Sequence, residues 1–256
     1  VAGQTIIKYQ PCGKPQTLYV TFTNIPLTDD NQLKMPRLFS YCIPFDEGGA
    51  PNPFWDVCTL NICKPVIRRT AKKGDWIVAT GSTQFGFENK VVYAMEVTET
   101  MTMEKYYEYC KSQLPQKIPN WRGKSYKERV GDCIYDFSHD PPKILQSVHN
   151  EGNRKRDLGG INTLLSDHFY YFGDKPRELP PHLLKIVRQG QGHKSTANQP
   201  YFHDFVDWIL KQTDAKNTLF SEPNDRHLFT LDSDYISKCA IRDKELDDID
   251  EELENE

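Results

Sequence analysis

Between Gly48 and Ser82 the chain reads GGAPNPFWDVCTLNICKPVIRRTAKKGDWIVATGS, which sets the aromatic pair Phe54 and Trp55 beside Lys64, Arg68, Arg69, Lys72 and Lys73. Flat π-surface next to concentrated positive charge suits a nucleobase and its phosphates. Stacking on a base needs an aromatic face, and reading its edge needs a fixed amide or hydroxyl. Asn52, Trp55, Tyr93, Trp121 and Tyr171 are the candidates for base contact. Lys64, Arg68 and Arg69 are candidates for phosphate contact, joined by Arg188 and Lys194 around the two glycines of RQGQGHKST. Neither that segment nor RGKS at 122–125 has the glycine spacing of a P-loop. For proton transfer the candidates are His168, His193, Asp75 and Asp132. Both aspartates follow a glycine, where a carboxylate also caps backbone donors in a turn. The zinc-deaminase pattern H-x-E with P-C-x-x-C is missing. Cys58 and Cys63, with four residues between them, have no second ligand pair and read as buried structural cysteines. No metal is expected, and no motif names a cofactor.

Several segments together resemble the second type of nucleotide modification associated domain: GGAPNPF, CKPVIRR, GDWIVATGS, YAMEVTE, GDCIYDF, DHFYYFG and RQGQGHK. The resemblance spans roughly residues 38 to 210 in order. It implies a setting beside DNA base modification in phages and bacteria, including antiphage defence, more than it implies a reaction. Over about 55–110 the order of basic turn, Gly-Asp-aromatic strand and Val-Thr-Glu strand also resembles PUA-like barrels, notably the EVE and ASCH modules. That second likeness implies a small barrel able to take an extruded base.

The elements that would position these residues follow from periodicity. TIIKYQ (5–10) and TLYVTFT (17–23) read as a hairpin, and RLFSYCI (37–43) as the next strand. Asp75 to Thr80 and Val91 to Thr98 are strands, and Thr102 caps a helix with Met103, Tyr106, Tyr107, Cys110 and Leu114 on one stripe. Pro115 ends it. Short strands are expected at 134–135, 161–166 and 169–172. A second amphipathic helix covers about 202–212, with Phe202, Phe205, Val206, Ile209 and Leu210 on one stripe. The expected fold is α+β: a single compact domain around a PUA-like mixed β-barrel, with flanking helices and long functional loops. Its divisions are an N-terminal hairpin or arm (1–36), the modification-associated domain (37–242) and an acidic disordered tail (243–256).

The 256 residues carry a net charge of −4, but the last fourteen hold nine acids and one lysine, leaving +4 on residues 1–242. A mildly basic body is compatible with a nucleic-acid partner. No apolar run approaches the ~20 residues of a membrane span, and the seven cysteines form no disulfide framework. A cytoplasmic protein is expected. Three functions fit: a binding module that recognises a modified or extruded base, which leads; an enzyme of base or nucleotide modification; and an interaction subunit of a defence complex. DNA or a nucleotide is the expected partner, and the N-terminal hairpin is a further place for a protein partner.

Overall fold

A computed structural model of the chain describes residues 35–190 and 192–225. The expected N-terminal hairpin and the acidic tail lie outside them. The strands are β1 (Leu38–Ile43), β2 (Cys58–Leu60), β3 (Trp76–Gly81), β4 (Lys90–Glu96), β5 (Glu99–Thr102), β6 (Tyr135–Asp136), β7 (Lys143–Ile144), β8 (Asn162–Ser166), β9 (Phe169–Tyr171), β10 (Arg177–Glu178), β11 (His193–Lys194) and β12 (Thr218–Leu219). The helices are α1 (Pro65–Thr70), α2 (Met103–Gln113), α3 (Tyr126–Arg129), α4 (Arg154–Gly159) and α5 (Phe202–Leu210).

The large sheet runs β11-β1-β3-β4-β9-β12, with β10 paired to β4. It is mixed: β1 lies parallel to β3 and β9 parallel to β12, while β3, β4 and β9 alternate in direction. Among the described residues its two ends do not pair, so it is an open sheet without the closure that a barrel requires. Mixed α/β architecture is therefore what stands of the expected fold.

Period-two alternation gives each strand two faces. Phe39, Tyr41, Ile77, Ala79, Tyr93, Met95, Phe169 and Tyr171 point to one side, where they meet Cys58, Leu60, Leu164 and Ile67. Leu38, Trp76, Val78, Ala94 and Tyr170 point to the other, against Phe202, Phe205 and Ile209 of α5. Both faces are covered, which explains why β3 is buried along its whole length and reads as a continuous apolar run. The second layer is a small antiparallel sheet ordered β2-β8-β5. Among the described residues no helix is long and apolar enough to cross a membrane.

The small sheet positions the chemistry. Leu60 of β2 lies opposite Leu164 of β8. Antiparallel pairing places whatever follows β2 beside whatever precedes β8. Cys63 and α1 follow β2; α4 precedes β8.

Candidate active site

Cys63 sits on the turn between β2 and α1, in left-handed backbone at φ 58°. Lys64 follows at φ 40°, and Pro65 opens the helix with a ring already set for helical φ. Two successive left-handed residues that are not glycine are strained, and such strain persists only where surrounding contacts over-determine it. Those contacts come from Asp157. Its Oδ1 accepts the backbone N–H of Cys63 at 2.9 Å, and its Oδ2 accepts the Tyr135 hydroxyl at 3.0 Å.

The same Oδ2 stands 2.5 Å from His149 Nδ1. The other ring nitrogen of His149, Nε2, lies 3.4 Å from the Cys63 sulfur. A buried imidazole is thus held between a thiol and a carboxylate, each on its own nitrogen. His149 reaches this position because Asn150 caps a 3-10 turn, its side chain accepting from Gly152 N at 2.8 Å, before α4 returns the chain. Cys63 itself is half-buried.

Burial alone would push the His149 imidazolium towards deprotonation. Asp157 and Cys63 outweigh it and raise its pKa to about 10. Burial likewise opposes the Asp157 carboxylate, but His149, Arg68 and Arg156 hold it below the usual carboxylate range. The imidazole is therefore protonated and the carboxylate charged at neutral pH. An imidazolium at this distance favours thiolate, the nucleophilic form of cysteine.

Arg68 locks the two halves of the site together. It is fully buried; one terminal nitrogen donates to the Asn61 carbonyl, two residues before Cys63, and the other to the Asp157 carbonyl. Burial lowers its pKa to about 10 even beside Asp157. A Cβ at Gly160 would fall 1.7 Å from the guanidinium, so glycine is what makes room for it.

Cys63 Sγ, a His149 ring nitrogen and an Asp157 oxygen also lie within 4.8 Å of one another. A metal there would take Cys63 and the Nε2 of His149, with Asp157 behind the ring as the orienting carboxylate. Two side-chain ligands fall short of the three or four of protein zinc sites. The geometry matches a nucleophile, a base and its orienter more closely.

The structure redistributes the residues singled out from the sequence. Cys63, read as a buried structural cysteine, is half-exposed beside His149, whereas Cys58 is buried in the core as expected, its thiol pushed up to about 12 by burial. Arg68 is turned inward and not toward solvent, because two backbone carbonyls need its donors. Asn52 is fully buried, its amide donating to Val130 O at 2.9 Å and accepting from Lys117 at 2.7 Å. Tyr93 and Tyr171 are buried, their hydroxyls bonded to Tyr41 and Asp46 respectively. Asp132 is buried and accepts from Thr59 at 2.6 Å and Tyr106 at 2.8 Å. Asp75 caps the backbone N–H groups of Arg37 and Lys72. His168 pairs with Glu96 at 2.7 Å, and His193 is buried against Phe39. Lys194 lies on edge strand β11, donating to Lys185 O, with Arg188 half-buried ahead of it.

Four candidates lie next to the triad in sequence or share the apolar cluster that flanks it. Lys64 is adjacent to Cys63, and Arg69 is exposed with a guanidinium nitrogen 2.6 Å from Gly159 O, at the end of α4. Trp55 packs in the same apolar cluster as Ile62, Tyr135 and Val148, the neighbours in sequence or contact of all three triad residues. Its indole nitrogen is buried without a hydrogen-bond partner. Trp121 is half-buried against this cluster as well.

Over residues 35–229 the chain matches nucleotide modification associated domain 2, and it belongs to that family. No curated protein and no solved structure matches it.

Proposed function

We propose that this protein is a thiol enzyme of nucleotide or nucleic-acid modification that works through a covalent intermediate on Cys63. The observation that carries the reading is His149 bridging Cys63 Sγ and Asp157 Oδ2 through its two ring nitrogens. The chemistry such a set performs is acyl transfer. The Cys63 thiolate attacks a carbonyl carbon, the bond to the leaving amine or alcohol breaks, and His149 Nε2 gives the leaving group its proton. In the second half His149 takes a proton from water or another acceptor nucleophile, which attacks the thioester and frees the thiolate. Asp157 keeps the ring in the tautomer and orientation both halves need.

Family membership supports nucleotides as the setting, with DNA or a nucleotide as the partner. Trp55 supports a base at this end of the domain through its half-exposed aromatic face. The leading expectation of a passive base reader loses support because Arg68, Asn52, Tyr93 and Tyr171 are committed to the interior.

Alkylation by iodoacetamide followed by peptide mass mapping tests the reading. Cys63 should react at least tenfold faster than glutathione at pH 6.5, with a rate nearly flat from pH 6 to 8, where an ordinary thiol of pKa about 8.5 gains close to tenfold per unit. His149→Asn should abolish that advantage, and Asp157→Asn should reduce it. A Cys63 no faster than glutathione, indifferent to His149→Asn, overturns the proposal.

A further inference from the structure

We infer that Lys64 selects the substrate: the electrophile Cys63 attacks carries an anionic group, phosphate or carboxylate, close to the reacting carbon. This rests on the thiol-enzyme reading above. Within the site the thiolate and the Asp157 carboxylate face His149, Arg68, which is sealed inside, and Arg156, 3.9 Å from Asp157 Oδ1. Lys64 is a further positive charge on the residue directly after the nucleophile. It is half-buried, and among the described residues no carboxylate pairs with it. Its ammonium instead rests 4.8 Å from the centroid of the Tyr41 ring. Tyr41 cannot serve as its anion, because burial and the neighbouring Tyr93 raise the phenol well above its ordinary pKa, and its hydroxyl is already bonded to Tyr93 at 2.8 Å.

A ring face holds an ammonium without using its N–H donors. Lys64 therefore keeps those donors for a ligand, and partial burial makes each of them stronger than it would be in water. The left-handed backbone at φ 40° and ψ 55° fixes the direction in which the side chain leaves the turn. Arg69, exposed on the same short helix, adds to the positive field on this side of the domain.

Alkylating reagents that differ only in charge test this without knowing the substrate. Iodoacetate relative to iodoacetamide should react with Cys63 at a ratio well above that for glutathione, and 0.5 M NaCl should collapse the excess. Lys64→Asn, a side chain that tolerates left-handed backbone, should lower the ratio by about tenfold; because the ratio compares two reagents on the same thiol, it is independent of any change in Cys63 reactivity itself. Lys64→Arg should restore the ratio. Inorganic phosphate and acetate, added at equal concentration, should slow alkylation in the wild type and not in Lys64→Asn. Stronger protection by phosphate assigns a phosphate-bearing substrate; stronger protection by acetate assigns a carboxylate. A fast Cys63 whose ratio is unchanged in Lys64→Asn, or which neither anion protects, overturns this inference alone. A Cys63 as slow as glutathione overturns it together with the thiol-enzyme reading.

Discussion

Arg68 is the residue on which the site's geometry turns. Its donors satisfy two carbonyls in segments 96 residues of chain apart at their centres only because α1 and α4 pack side by side. Arg68→Met would remove the burial penalty of a charge but leave both carbonyls unpaired, at about 1–3 kcal/mol each. The expected outcome is about 2–4 kcal/mol of lost stability in urea unfolding and a slower Cys63 alkylation in the protein that remains folded. Trp55 makes the opposite case. Its indole N–H has no partner to lose, so Trp55→Phe should cost under about 1 kcal/mol in the same assay. A nucleotide that stacks on the larger indole face should nonetheless bind more weakly, which isothermal titration would register. A large stability loss in Trp55→Phe would assign the ring to packing alone.

At the scale of elements, the segment 52–59 is shaped by a lysine that no surface rule would place inside. Lys117 is fully buried, its ammonium 2.8 Å from Asn52 O, 2.7 Å from Asn52 Oδ1, 2.7 Å from Val57 O and 3.0 Å from Thr59 Oγ1. These bonds bracket Trp55 and Asp56, both in left-handed backbone. Lys117→Met should destabilise by roughly 3 kcal/mol or more, since it removes the nearby cation that opposes the burial cost of the Asp132 carboxylate and leaves the Asn52 and Val57 carbonyls without the lysine's N–H donors. Thermal melting at neutral pH checks this. The strands β1, β3 and β4 and the helices α2 and α5 were legible because each is long enough to show its period. Thr102 caps α2 as expected, accepting from Lys105 N at 3.2 Å. The helix α1 was not legible: six residues with an arginine as their buried member look like a basic turn. Nor was the triad. Cys63 meets His149 and Asp157 through a three-residue strand and its pairing to β8, and neither leaves a local pattern in the sequence.

At the scale of the whole molecule, Asp46 joins the segment after β1 to the segment after β12. Its backbone N–H donates to Asn224 Oδ1 at 3.3 Å, and its carbonyl accepts from Asp225 N at 3.0 Å. Burial pushes its carboxyl up to about 7, against the bonds from Tyr171 and Gly48 that favour the charged form. The folded state thus keeps a proton that the unfolded chain sheds near pH 4, so stability should fall as pH rises from about 4 to about 7. His149 continues the trend: its raised pKa contributes stability that is complete below about 6.5 and lost as pH rises through about 10. Asp46→Asn should flatten the lower part of this decline and gain about 2 kcal/mol at pH 8. Urea titrations at pH 5 and pH 8 distinguish this from a mutant curve that merely parallels the wild type.

The large sheet ends on β11 and β12, and each is two residues long. An incoming strand would find only a couple of ladder positions at either margin before the template runs out. Among the described residues, then, this sheet is poorly suited to recruiting a guest by β-augmentation or to seeding fibrils edge to edge. Whatever docks at these two margins has to recognise side chains and loops, and so must be chosen by its chemistry and not by its backbone.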